Sequence, residues 1–169
     1  TEFTGAAVGN RTTVKPVIES IDDWSTLAPL DVRRGFNGMV LDALRISREG
    51  IDPDVPLLQT IFSPLTIAQK LANGNIVDHL RARPEVVHTA LEVITEITSD
   101  MVQASYESGA DGVFFASQLT TSDVMTEDEY RAFGVPYDMR VIQASRAARP
   151  DGIIFFHTHG DAPMLELAA

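Results

Sequence analysis

Three short apolar runs set the frame for this chain: Val55 to Phe62 (VPLLQTIF), Val113 to Ala116 (VFFA) and Ile153 to Phe156 (IIFF). They are mostly or wholly apolar rather than alternating, which suits strands covered on both faces. Stretches with helical spacing lie between them. Phe36 to Glu49 carries apolar residues at 36, 39, 40, 43, 44 and 46, and Gly50 and Pro53 stop it. Pro84 opens a long helix to Ser108 with Val86, Ala90, Val93, Ile94, Ile97, Met101 and Ala104 on one face. Gly109 stands where its C-terminal cap belongs. Glu127 to Ala148 reads as a further helix, kinked where Pro136 removes a backbone donor. Strands and helices alternating at this spacing predict βαβ units and a parallel sheet, an α/β fold.

Local signals mark the boundaries. Ser20 and Asp23 stand at capping-box spacing, which predicts a short helical turn through Trp24 in a segment, residues 1–35, that is otherwise irregular. Ser63-Pro64 is an N-cap followed by proline at the first helical position, and that helix runs to about Ala72 before Asn73-Gly74. Thr126 and Glu129 form a second capping box after the polar loop Ser117 to Val124. Arg149 to Gly152 is a turn, and Pro163 starts a helix that is still open at Ala169. Three β-then-α junctions are visible, whereas a complete (β/α)8 barrel of the TIM type needs ~250 residues. The 169 residues are therefore expected to form one partial barrel domain, about half of the whole.

Charge and composition narrow the partners. The formal net charge of −11 repels phosphate backbones and argues against nucleic acid. No apolar run approaches the ~20 residues of a membrane span. Thr1 to Asn10 lacks the basic start and apolar stretch of a signal peptide, so a cytoplasmic location is expected. Cysteine is absent, which excludes disulfides, thiolate nucleophiles and thiolate metal ligands from this stretch.

In parallel α/β sheets chemistry gathers at the carboxyl ends of the strands. That rule selects Phe62-Ser63, Phe115-Ala116-Ser117-Gln118 and His157-Thr158-His159-Gly160-Asp161. Ser63 reads first as a helix cap, and alternatively as part of an anion-holding helix N-terminus. Lys70 reads as a solvated charge or as a substrate contact. Ser117 and Gln118 serve a turn or donate hydrogen bonds to a polar substrate group. Phe114, Phe115, Phe155 and Phe156 pack in a core or line a pocket for a planar ligand. His157 and His159 stand at i and i+2, so on an extended strand they point the same way and can share one proton or ligand. Proton transfer, a zinc pair and simple packing are all open to them. His79 and His88 lie on helical stretches and are expected to be exposed.

Several of these stretches resemble the uroporphyrinogen decarboxylase family. They are PVIESIDDWSTL (Pro16 to Leu27), PLTIAQKLANG (Pro64 to Gly74), ARPEVVHTALEVITEIT (Ala82 to Thr98), ESGADGVFFASQ (Glu107 to Gln118) and EDEYRAFGVPYDMRVI (Glu127 to Ile142). The resemblance covers nearly the whole chain in order. It implies a (β/α)8 barrel, and an enzyme that decarboxylates a carboxylated tetrapyrrole without a cofactor. Zinc-dependent relatives move methyl groups between corrinoid proteins and thiols. Ser117 falls where a serine faces substrate, and Lys70 falls where the decarboxylases carry a tyrosine. The family's arginine-rich loop and key aspartate would precede Thr1, and a later histidine would follow Ala169. The methyltransferase branch has a His-x-Cys zinc pair at His157, and here the cysteine position is His159. The expected site therefore has His157 and Ser117 as catalytic residues, and Ser63, Phe115, Gln118 and Lys70 against a small-molecule substrate. No metal is expected, with zinc on His157 and His159 as the alternative. The resemblance also implies a homo-oligomer. A third reading is a non-catalytic half-barrel, expected to associate through its open strand edges.

Overall fold

The computed structural model describes residues 2–4 and 12–167. Strands β1 (Glu2–Thr4) and β2 (Thr12–Lys15) pair antiparallel, so the segment expected to be irregular holds a two-stranded ribbon. The turn through Trp24 forms as a 3-10 helix, Ile21–Thr26. Its capping carboxylate, Asp23 Oδ2, accepts from the backbone amides of Ser20 at 2.7 Å and Glu19 at 3.0 Å. The turn seats Trp24 in the core, where its indole N–H donates to His79 Nδ1 at 3.0 Å.

Helix α1 (Gly35–Gly50) leads into β3 (Leu58–Phe62), which is shorter than its apolar run because Val55 stays outside the sheet and half exposed. Three helices then cross back: α2 (Pro64–Leu71), α3 (Ile76–Ala82) and α4 (Pro84–Glu107). Ser63 caps α2 by accepting from the Thr66 amide at 3.2 Å. Asn73 and Gly74 end it with φ of 49° and 101°. Strand β4 (Gly112–Ala116) is followed by α5 (Glu127–Phe133), α6 (Val135–Ala148) and β5 (Ile153–His157).

The single kinked helix expected over Glu127 to Ala148 is in fact two helices. They part at Gly134, where a Cβ would run into the Tyr130 ring. Pro136 then lies in the first turn of α6, where a missing N–H costs nothing. The helix expected after Pro163 is likewise absent among the described residues. Pro163 forms an isolated bridge with Thr121, and a short 3-10 turn, Leu165–Leu167, follows.

The sheet has the order β3-β4-β5, all parallel and in register. Alternation gives it two unlike faces. Ile61, Phe115 and Phe156 share one row and pack with Val113 against Val102 of α4 and Val141 of α6. Thr60, Phe114 and Phe155 share the opposite row, where Phe155 is 53% exposed. The strands are thus covered on one face among the described residues, not on both as their apolar composition suggested. Helix α4 also presents a rotated face. Val87, Leu91 and Val102 are buried beside Ala90, Ile94 and Ala104, while Val86 and Val93 lie at its margin. At the amino ends of the strands Asp111 Oδ2 accepts from Arg48 at 2.8 Å and from the Leu57 amide at 2.9 Å, fixing β3 beside β4.

Candidate active site

Strands β3 and β4 carry their ladders one residue past their ends. The Ser63 amide donates to the Ala116 carbonyl at 3.0 Å, and the Ser117 amide to the His157 carbonyl at 2.8 Å. Phe62, Ala116 and His157 therefore end the strands side by side on the open face. A row of flat rings runs along that face. Phe155 stacks on Phe114 with centroids 5.2 Å apart, Phe114 lies 5.0 Å from His157, and the His157 and His159 rings meet edge to face at 4.8 Å. His157 is half-buried and His159 exposed. Lys70, exposed on α2, brings its ammonium to 4.5 Å from the centroid of the Phe62 ring, a cation–π contact worth about 0.5–1 kcal/mol.

The remaining predicted residues are placed differently. Ser63 is fully buried, and its hydroxyl donates to Thr66 Oγ1 at 2.8 Å. Thr66 Oγ1 also accepts from the Gln118 amide at 2.9 Å, tying the ends of β3 and β4 together. Gln118 is half-buried beside them. Phe115 does not line the open face. It is fully buried between the sheet and the helices, because its neighbour Phe114 takes the open side. His79 and His88 are not exposed. His79 holds Trp24, while His88 stacks on Phe133 at 4.2 Å and meets the Tyr137 hydroxyl at 2.8 Å through Nδ1.

Ser117 is fully buried too, and its hydroxyl turns below the strand end into a polar cluster that the sequence did not announce. Ser117 Oγ donates to Asp138 Oδ2 at 3.0 Å, and the Tyr130 hydroxyl donates to the same oxygen at 2.6 Å. Thr120 Oγ1 donates to Ser117 Oγ at 2.6 Å. Asp138 Oδ1 is buried and has no partner. Burial pushes the Asp138 carboxyl up to about 7, against the opposing pull of the hydrogen bonds from Tyr130 and Ser117. Burial and the neighbouring Asp138 charge also raise Tyr130. No sequence motif marks this cluster, because an aspartate in the first turn of a helix ordinarily reads as a solvated residue facing the helix dipole.

A second carboxylate shapes the histidine loop. Asp123 Oδ2 accepts from Thr121 Oγ1 at 2.7 Å and from the backbone amides of Asp161 at 2.7 Å and Ala162 at 3.2 Å. The Thr121 hydroxyl, then those amides, hold its pKa below the ordinary carboxylate range. Gly160 has φ of 93° and sits so close to Thr121 and Asp123 that any side chain would collide. Thr158 Oγ1 adds a bond to the Thr120 carbonyl at 3.1 Å. His157 to Asp161 are thus strapped to the loop after β4. Asp123→Ala is expected to speed hydrogen exchange at the Asp161 and Ala162 amides about tenfold. Global stability should change by less than about 1 kcal/mol, since Asp123 is exposed. Unchanged exchange at both amides would show that the strap holds without the carboxylate.

Chemically, the open face offers an imidazole pair for proton transfer, a cation and flat apolar walls. A metal would find a partial donor set. His157 and His159 can supply two nitrogens, but no group of three or more His, Cys, Asp or Glu gathers among the described residues. No described helix is long and apolar enough to cross a membrane.

Comparison with known proteins fits this architecture. The family model described as uroporphyrinogen decarboxylase (URO-D) matches residues 4–169. A uroporphyrinogen decarboxylase from Chlorobium phaeovibrioides is 29% identical over 164 residues, which are 92% of this chain and 46% of that protein. A methylcobamide:CoM methyltransferase from Methanosarcina barkeri is 29% identical over 122 residues, 72% of this chain and 36% of that protein. Among solved structures, a methyltransferase from Methanosarcina mazei superposes with a TM-score of 0.81 at 24% identity, over 99% of this chain and 49% of its own. The chain spans about half the length of the curated relatives it matches, and its three parallel strands with their helices are part of a (β/α) barrel whose interior is the open face. The chain belongs to the uroporphyrinogen decarboxylase family.

Proposed function

We propose that the full-length protein is a cofactor-free decarboxylase acting on a carboxylated tetrapyrrole or a similarly flat molecule held in the barrel mouth. The row Phe155, Phe114 and His157 on the open face carries this reading, because the two phenylalanine rings stacked at 5.2 Å form a flat apolar wall with the tilted His157 imidazole at its end, 5.0 Å from Phe114. In the reaction the bond to the carboxylate carbon breaks, CO2 leaves, and the electron pair stays with the substrate, whose carbon takes up one proton. His157 supplies that proton and His159, in edge contact with it, recharges the ring from solvent. Lys70 pairs with a substrate carboxylate, and the Gln118 side chain donates to a polar group nearby.

Zinc-assisted methyl transfer to a thiol is the second reading. The adjacent His157 and His159 rings favour it, as does the likeness to the Methanosarcina barkeri methyltransferase. The two imidazoles fall short of a complete site, so its remaining ligands would have to come from outside the described residues.

One experiment separates the two. Full-length protein is analysed for zinc and incubated anaerobically with uroporphyrinogen, with products resolved by chromatography. Products with fewer carboxyl groups from zinc-free protein support decarboxylation. Stoichiometric zinc that disappears in both His157→Ala and His159→Ala, with no carboxyl loss, rejects it in favour of methyl transfer.

A further inference from the structure

We propose that Asp138 is a positioning residue, which through Tyr130 and Ser117 fixes the end of β4 and thereby the main chain of His157. This rests on the reading of His157 as the reacting group. Two hydroxyls converge on one carboxyl oxygen, Tyr130 at 2.6 Å and Ser117 at 3.0 Å, and a third, Thr120, donates to Ser117 Oγ at 2.6 Å. Ser117 is the pivot. Its side chain bonds downward to Asp138, while its amide bonds outward to the His157 carbonyl at 2.8 Å. Thr120 extends the same network to the histidine loop, since its carbonyl accepts from Thr158 Oγ1 at 3.1 Å and from the Met164 amide at 3.0 Å. A neutral acceptor at position 138 would satisfy the same hydroxyls. A carboxyl there adds sensitivity to protonation, because Oδ1 is closed off without a donor and its charge is uncompensated.

The groups around the cluster are few. Tyr130 of α5 touches the carboxyl directly, and Ser117 and Thr120 of the loop after β4 complete the contact. On α4, Glu92 pairs with Arg140 of α6 at the surface, and His88 meets Tyr137, the residue before Asp138. With a folded pKa raised to about 7, Asp138 binds its proton more tightly in the native state than in the unfolded one. Its contribution to stability is complete below the ordinary carboxyl range and is lost as pH rises towards 7.

The test uses 15N-labelled full-length protein, wild type against Asp138→Asn, Asp138→Ala and Tyr130→Phe. With the neighbouring imidazole removed by His157→Ala, the Ser117 amide resonance is expected to move with an inflection near neutral pH, and this inflection is absent when Asp138→Asn is added. Asp138→Ala is expected to exchange the Ser117 amide at least tenfold faster than wild type, and Asp138→Asn to restore protection. Tyr130→Phe, with Ser117 still bonded to Asp138, should fall between them. In the decarboxylation assay, Asp138→Ala should lower kcat while KM stays within about twofold. An inflection that persists when Asp138→Asn is combined with His157→Ala overturns the proposal, as does unchanged Ser117 exchange in a folded Asp138→Ala. If Asp138→Ala does not fold, the Asp138→Asn titration decides alone. The amide signals do not depend on turnover, so full activity in His157→Ala would reject the functional reading while leaving the role of Asp138 separately measured.

Discussion

His157→Ala is expected to lower kcat for decarboxylation by about 10²- to 10⁴-fold, the usual contribution of a positioned general acid. KM should change by no more than a few-fold. The imidazole sits at the end of the aromatic row, 5.0 Å from the Phe114 ring, and contributes no flat wall of comparable size. The main-chain carbonyl that holds the Ser117 amide at 2.8 Å survives the substitution, so the strand end should keep its place. Thermal unfolding monitored by circular dichroism then serves as the control. A variant that melts like the wild type but turns over within threefold of it would remove His157 from the reaction.

Phe115→Ala is expected to destabilise the fold by roughly 3–5 kcal/mol, as large aromatic truncations in sealed cores do. The ring is fully buried and shares its cluster with Ile61, Val102, Val113 and Val141, contributed by two strands and two helices. These elements are held in place by the hydrogen-bonded ladder and cannot close around the gap. Urea unfolding followed by tryptophan fluorescence measures the loss through Trp24, which lies in the neighbouring core cluster. A change below about 1 kcal/mol would mean that the sheet–helix layer repacks freely. It would also contradict the assignment of Phe115 to the covered face.

The strands and long helices were legible because their signals are local. Capping at Ser63 and Thr126 and the glycine at Gly109 sit where the chain turns, and each needs only its own neighbours to act. Helix α3 escaped notice because seven residues make barely two turns, too few for a period to stand out. The buried face of α4 was misjudged for a different reason. Thr95, Thr98 and Ser105 lie inside, each returning its hydroxyl to a carbonyl four residues back at 2.6–2.7 Å. Such residues fill core positions while looking polar in a sequence, so apolar spacing alone points to Val86 and Val93 instead. The site shows the same division. His157 and His159 follow from strand alternation alone, whereas Asp138 acquires its surroundings from Ser117, 21 positions earlier. Phe115 failed as a pocket residue because four phenylalanines on two strands do not reveal which pair faces which way until the register is known.

That register has a consequence for how the chain can go wrong. Phe155 and Phe156 are chemically identical, and so are Phe114 and Phe115, so the aromatic content of the strands scarcely distinguishes the native alignment of β5 from one shifted by a single residue. A slip would send His157 towards the helices and Phe156 towards the barrel interior, giving a molecule with ordinary secondary structure and no imidazole from β5 on the open face. What discriminates against it lies at the two ends of the pair. Gly112 leaves no room for a side chain against the Ile153 carbonyl, and Ser117 needs the His157 carbonyl opposite its amide. Substitution at Gly112 is therefore expected to loosen the pairing of β4 with β5 and to open a route to misfolded material that keeps its secondary structure.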